Sequence, residues 1–264
     1  MLSSTAPPIE ILESANRLHY RNRIQLHYHF ASSSLGFKEK MGKSILCVPN
    51  CLIMEASVEE KYHWLVLNWK KEILRSGYPK VGHVEIYKYQ DQVQVTWNKP
   101  YAEQGFSQVN THTNNMMTDQ LHQYLKTRSK SILDLFGGAG NLTNSLKESG
   151  CTRQCIDLYS DERRTDEFFH LDLFEEESLE VFKKENKESF DTLILDPPRS
   201  GFKQLSSWTK HFSPKHLAYV SCHPATMIRD LKPLMNDYLI KKNYLVDLFP
   251  GTFHYEAMIF LEKA

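Results

Sequence analysis

Short apolar runs that alternate with helix-period segments predict an α/β fold, a mainly parallel sheet with helices on both faces, preceded by a small α+β unit. Three observations carry this expectation. Apolar runs at residues 131–136, 154–156, 192–195, 217–220 and 258–261 are separated by segments with room for helices, the pattern of βαβ units. The first of them feeds Gly137-Gly138-Ala139-Gly140-Asn141 and then leucines at 142 and 146, a strand, a glycine turn and a helix in succession. Ahead of residue 100 the pattern differs. Around 84–87 and 93–97 apolar residues alternate with period two across the polar turn Gln90-Asp91-Gln92, which predicts a hairpin.

Taken in chain order, a strand is expected at 23–30, and a helix over 53–74 from the spacing of Val58, Tyr62, Leu65 and Trp69. The hairpin follows, and Asn98-Lys99-Pro100 reads as a linker. Met117, Leu121 and Leu125 then place one apolar stripe on a helix. Gly150 suits the end of the helix after the glycine turn. Pro224 suits the first turn of a helix through Met227, Ile228 and Leu231, which Pro233 ends. The expected organisation is a lead over 1–19, a small α+β domain over 20–100 and the larger domain over 101–264.

Composition excludes several classes. With 264 residues, 41% hydrophobic and 24% charged, the chain can bury a core and is not of the disordered type. No apolar run approaches the roughly 20 residues a bilayer span requires. The start, with Pro7-Pro8, Glu10 and Glu13, lacks the basic and apolar regions of a signal peptide. Five cysteines do not form a disulfide framework, so a reducing cytoplasmic setting is expected. Cys47, Cys51, Cys151 and Cys155 are expected to be inert core residues, and no metal site is expected. Lys+Arg and Asp+Glu both number 32, which argues against strong, non-specific binding to nucleic acid. That balance hides a split: residues 1–130 carry 16 basic and 11 acidic groups, residues 131–264 carry 16 and 21.

The candidate chemistry sits at predicted strand ends, where open α/β sheets bind ligands. The glycine turn lacks both G-x-G-x-x-G and a following GK[ST], so dinucleotide and P-loop readings are poor. Asp134 and Asp157 instead suit a ligand with sugar hydroxyls and no phosphates, such as S-adenosylmethionine. Asp196-Pro197-Pro198-Arg199 leaves the strand at 192–195 on two prolines that stiffen the turn and would fix Asp196 and Arg199 over the crevice. Cys222 lies between a strand end and a helix start, a positive field expected to lower its pKa and suit a nucleophile. Glu256 abuts the last apolar run, where burial would raise its pKa toward that of a working base.

Together Asp134 to Asn141, Asp196-Pro197-Pro198-Arg199-Ser200-Gly201, Ser221-Cys222-His223-Pro224-Ala225-Thr226, Phe249-Pro250 with His254-Tyr255-Glu256, and Gly105-Phe106-Ser107-Gln108-Val109-Asn110 resemble, in order and spacing, the motifs of the RNA uracil-5-methyltransferase family. Tyr20-Arg21-Asn22-Arg23 resembles the start of that family's central domain, so the likeness covers residues 20–264. The resemblance implies a Rossmann-like class I methyltransferase domain with an antiparallel C-terminal edge, acting on rRNA or tRNA with S-adenosylmethionine as cofactor. Carried over by position, Cys222 would be the nucleophile, Glu256 the base, and Gln108, Phe136, Asn141, Asp157 and Asp196 contacts to cofactor or base. Asp134, Gly138 and Gly140 join the expected cofactor set, and Arg21, Arg23, Lys38, Lys40 and Lys43 an RNA-facing front. The chain departs from the family in several places. It is expected to be a short form without the N-terminal OB-like domain and the iron–sulfur cysteines of some members, and His223 replaces the usual Asn. Only 14 residues separate Asp157 from Asp172, short for a helical crossover, so an altered pocket on that side is expected. The competing expectation is a catalytically degenerate RNA- or partner-binding protein on the same fold.

Overall fold

A computed structural model describes residues 6–42, 44–89, 91–100, 108–158 and 167–264. The chain opens on a three-residue strand, β1 (Glu10–Leu12). It then builds a unit of its own over Ala15–His112. This unit holds β2 (Arg23–His29), β3 (Ser34–Lys38), β4 (Ile45–Leu46), the helix α1 (Ala56–Ser76), β5 (Val81–Tyr89) and β6 (Gln92–Trp97). The strands form one antiparallel sheet in the order β4-β3-β2-β5-β6. The helical spacing in the sequence brings Val58, Tyr62, Leu65, Trp69 and Ile73 to one buried face of α1, packed with Ile24, Leu26, Val84 and Ile86 of the sheet. Gly77 ends the helix in the left-handed region at φ 68°, its N–H bonded to the Ile73 carbonyl.

Two expectations change here. Arg23 is not an RNA-facing cation: its guanidinium is paired with Glu85 at 3.1 Å, with side chains 2% and 3% exposed, and lies over the Tyr87 ring. The strand's period of two turned it inward. Asn98 and Lys99 are not a free linker, because Asn98 accepts the His83 amide and donates to the Tyr28 hydroxyl, while the Lys99 carbonyl bonds the His83 ring.

The second unit groups Met1–Ser14 with Thr113–Ala264. The N-terminal lead is thus a strand of the larger sheet: Glu10, Ile11 and Leu12 pair in parallel with Tyr244, Leu245 and Val246. The boundary expected near residue 100 falls at 112, just inside α2 (Thr111–Leu125). The remaining elements are β7 (Ser131–Leu135), α3 (Asn144–Glu148), β8 (Thr152–Asp157), β9 (Phe168–His170), α4 (Ser178–Glu185), β10 (Thr192–Leu195), α5 (Leu205–Phe212), β11 (His216–Ser221), α6 (Pro224–Leu231), β12 (Tyr238–Val246) and β13 (Glu256–Lys263). Their strand order is β1-β12-β13-β11-β10-β7-β8-β9, with β13 antiparallel to both neighbours and the other pairs parallel.

Both faces of this sheet are covered, as its near-continuous apolar strands require. Leu133, Leu135, Leu193 and Leu195 point to one side, against Phe182 of α4, Trp208 of α5 and Met227 of α6. Ile132, Ile194, Val220 and Met258 point to the other, against Met117, Leu121 and Leu125 of α2 and Leu146 of α3. Strand β9 follows β8 in parallel through residues 158–167, of which 159–166 lie outside the described residues. Among the described residues no helix is long and apolar enough to cross a membrane.

The Arg23–Glu85 pair yields a direct expectation. Glu85→Ala leaves a buried guanidinium without its carboxylate and should lower stability by about 3–5 kcal/mol. Denaturant unfolding checks this, and a loss below about 1 kcal/mol, the range of an exposed pair, would refute it.

Candidate active site

Five adjacent strands of the larger sheet present their ends along one edge. Strands β7, β8, β10 and β11 finish there, and the antiparallel β13 begins there. In lateral order they carry Glu256 on β13, Cys222 after β11, Asp196 after β10, Phe136 with the glycine turn after β7, and Asp157 closing β8. At the ordinary strand spacing the series spans on the order of 20 Å. The chain leaves β7 for β8 on one side and returns to β10 on the other, so the glycine turn and Asp196 flank the switch point where such sheets bind ligands.

The glycine turn is strained and anchored from below. Phe136 has φ 59°, a conformation rare for an aromatic residue and costing of order 1–3 kcal/mol. Its ring packs edge-on to Phe202 at 5.2 Å and beside Phe174 at 5.4 Å. Beneath the turn, the buried Asp134 carboxylate accepts the Thr143 hydroxyl at 2.6 Å. A Cβ on Gly137 would come within 2.8 Å of the Asp134 Cγ, so only glycine lets the backbone close over it. Burial pushes Asp134 up to about 6, against the pull of Thr143 and Arg153. Gly138 and Gly140 adopt φ 51° and 78°, and the Gly138 amide donates to Asp157 Oδ2 at 2.8 Å. Asn141 exchanges two side-chain hydrogen bonds with Asn114 of α2. Beyond β9, Asp172 accepts the Phe174 amide and so closes its own turn.

The segment after β10 is held by α6. The Asp196 amide bonds the Leu135 carbonyl at 3.4 Å, tying it to the neighbouring strand end. Arg199 is exposed, with a guanidinium nitrogen 3.3 Å from His254 Nδ1, and its own carbonyl accepts the Thr226 hydroxyl. Sequence reasoning missed Asp230 of α6. Its carboxylate accepts the Phe202 amide at 2.6 Å, the Tyr219 hydroxyl at 2.8 Å and two nitrogens of Arg229. The available signal was an acid on the apolar face of α6, between Met227 and Leu231, both buried.

Glu256 and Cys222 come together through strand register. Ser221 pairs with Ala257, so extending the antiparallel ladder by one residue sets Cys222 opposite Glu256. Glu256 is buried, and its Oε2 has no hydrogen-bond partner. Burial, then the negative charge of Asp196, pushes it up to about 8, with Arg199 opposing. Asp196, half-buried, is pushed up to about 7, first by burial of its carboxyl and then by Asp134. Cys222 departs from expectation: its thiol is raised, first by burial and then by Glu256, although a hydrogen bond from Arg199 and that residue's charge work the other way. The field at the start of α6 is a local effect, and burial, followed by the charge of Glu256 from another strand, outweighs it. Cys222 is therefore a thiol set opposite a buried carboxyl.

Gln108 belongs to the other unit, where it is buried and its carbonyl accepts Asn22 Nδ2 at 3.0 Å, while Gly105 to Ser107 lie outside the described residues. Cys151 and Cys155 are buried, but Cys47 is exposed and Cys51 half-buried, because the short β4 lies at a sheet edge. Among the described residues no group of three or more His, Cys, Asp or Glu could hold a metal ion.

Comparison with known proteins adds relatives to this geometry. Residues 168–264 match the family model "tRNA (Uracil-5-)-methyltransferase". A 23S rRNA (uracil(1939)-C(5))-methyltransferase of Shewanella woodyi is 36% identical over 172 residues, which is 60% of this chain but only 38% of that protein. An uncharacterized RNA methyltransferase of Mycoplasma mobile is 26% identical over 97% of this chain and 69% of its own length. Among solved structures, a Pyrococcus abyssi tRNA (uracil-54, C5)-methyltransferase in complex with S-adenosyl-L-homocysteine has the same fold, with TM-score 0.74 and 20% identity over 96% of this chain and 77% of that one.

The buried carboxyl yields a pH prediction. Because the folded-state pKa of Glu256 is raised, the protonated form favours folding. That contribution is full below the unfolded value near 4.3 and is lost as pH rises through about 8. Glu256→Gln keeps the shape without the charge. It should raise Tm relative to the parent at about pH 9 and give no gain at about pH 4. Thermal melts at the two pH values decide, and a gain equal at both would refute the assignment.

Proposed function

We infer that this chain is a member of the RNA uracil-5-methyltransferase family and transfers a methyl group from S-adenosylmethionine to C5 of a uridine in structured RNA, rRNA or tRNA. The observation that carries this reading is the convergence of Cys222, Glu256 and Asp196 on adjacent strand ends beside the glycine turn. A thiol, a buried carboxyl of raised pKa and a cofactor-type turn are what C5 methylation requires together.

The turn fits the cofactor. Positive φ at Gly138 and Gly140 brings bare backbone to the sheet edge, and Asp157 stands beside it with one oxygen on the Gly138 amide. Residues 137–141 contain no Lys or Arg, so the loop suits sugar hydroxyls and a cationic sulfonium better than phosphates. Phe136, Gly138, Gly140, Asn141 and Asp157 would hold it, Asp134 would support the turn from beneath, and Gln108 joins the set by its place in the family motif. The bound cofactor supplies an electrophilic methyl group.

The remaining chemistry belongs to the protein. The Cys222 thiol gives its proton to solvent water, and the thiolate adds to C6 of the uracil. That addition makes C5 an enolate carbon able to take the methyl. Glu256 then removes the C5 proton, the C6–S bond breaks, and the C5=C6 double bond returns as the thiolate leaves. Arg199, beside both groups, favours their charged forms. Asp196 would contact the base or cofactor between them. A base in a duplex cannot reach this edge, so the target is a loop or flipped nucleotide.

The unit with β2–β6 is the proposed RNA contact, through Arg21, Lys38 and Lys40. Arg23 is excluded by burial, and Lys43 lies outside the described residues. A soluble cytoplasmic setting agrees with this reading.

Two substitutions test the chemistry. Cys222→Ala should abolish methyl transfer to a uridine-containing RNA. Glu256→Gln should accumulate a protein–RNA adduct stable to denaturing electrophoresis, since the C5 proton cannot leave. A fully active Cys222→Ala protein would overturn the mechanism.

A further inference from the structure

We infer that Asp230 of α6 is the positioning residue of the segment 196–202, which it locks so that Arg199 is held beside Cys222 and Glu256. Nothing in the proposed chemistry uses Asp230, yet its side chain is fully buried and is among the most heavily bonded carboxylates described. One oxygen accepts the Phe202 amide and the Tyr219 hydroxyl, and the other accepts Arg229, whose guanidinium also donates to the Ser200 carbonyl at 2.8 Å. The same helix donates the Thr226 hydroxyl to the Arg199 carbonyl at 3.2 Å. Residues 199, 200 and 202 are thus each fastened by main-chain groups to one face of α6.

Gly201 explains how the carboxylate comes so close. Its φ is 72°, and a Cβ there would lie 2.4 Å from Asp230 Oδ2. The segment therefore wraps the carboxylate with a residue that has no side chain to move. On the upstream side, Pro197 and Pro198 fix φ and transmit that anchorage to Asp196 with few free dihedrals. On the downstream side, the buried Phe202 ring rests edge-on against Phe136 at 5.2 Å, so the anchor also braces the strained residue of the glycine turn.

The effect on the site runs through Arg199. The charged and titratable groups facing Cys222 are Glu256 from β13 and Asp196 and Arg199 from the anchored segment. His223 is its chain neighbour, and His254 bonds Arg199. Arg199 hydrogen-bonds the thiol and is the cation that opposes Glu256 and Asp196 there, so releasing it leaves those two carboxylates unopposed. The catalytic meaning of this role rests on the proposed function, but its test does not use activity.

The experiment follows alkylation of Cys222 by iodoacetamide across pH, with the modified peptide quantified by mass spectrometry so that Cys47 does not interfere. Asp230→Asn should move the midpoint upward by about one pH unit, a roughly tenfold lower thiolate fraction on the acid side. A folded Asp230→Asn protein with an unchanged midpoint would overturn the proposal. If that variant fails to fold, Arg229→Met decides: it removes the guanidinium that joins Asp230 to the Ser200 carbonyl, and its midpoint should rise, whereas an unmoved midpoint overturns the proposal. A parent protein that methylates no RNA, with the midpoint shift still present, would refute the functional reading and leave the positioning role standing.

Discussion

Ile194 pairs with Asp134 on one side and Ala218 on the other, and this parallel register of β7, β10 and β11 fixes everything at the edge above it. With the three strands in step, Phe136, Asp196 and Cys222 leave the sheet at one level. The antiparallel β13 then enters at that level, its Ala257 paired with Ser221, and brings Glu256 beside the thiol. A one-residue slip of any strand would turn its functional side chain and its apolar residues to the wrong faces, so the packing of leucines and isoleucines against the helices enforces the geometry of the polar edge. The strand-end positions of the site are therefore set by core packing.

Crowding acids at such an edge has an electrostatic consequence. Asp134, Asp196 and Glu256 are all pushed upward, chiefly by loss of water around them and partly by one another. Cys222 shares that environment and is raised as well. A cation brought to the edge would lower all of these values. A bound sulfonium would be such a cation. Arg199 is the protein's own opposing charge, and its fastening to α6 gives that opposition a fixed place.

The larger elements were legible because their signals are local. The stripe of Val58, Tyr62, Leu65 and Trp69 announced α1, and the run into Gly137 announced β7 and its turn. What stayed hidden depends on partners far away in sequence. Three residues, Glu10 to Leu12, carry no strand signal of their own and become β1 only by pairing with Tyr244 to Val246. Strand β12 holds Lys241, Lys242 and Asn243 in its middle, which mask its apolar alternation. Arg23 looked like a surface charge because Glu85 is 62 residues away. The position of Cys222 was readable from its strand–helix junction, but its raised pKa was not, since Glu256 arrives on another strand. Asp230 could have been noticed as an acid on an apolar helix face, though its partners could not.

The central claim is that this strand edge attacks C6 of a uracil through Cys222. The most direct measurement uses RNA carrying 5-fluorouridine, in which C5 has no proton for Glu256 to remove. Incubated with S-adenosylmethionine and the protein, it should give a covalent complex whose digested peptide carries the nucleotide on Cys222. No complex with an RNA that is methylated in its ordinary uridine form, or an adduct mapped to another residue, would contradict the account.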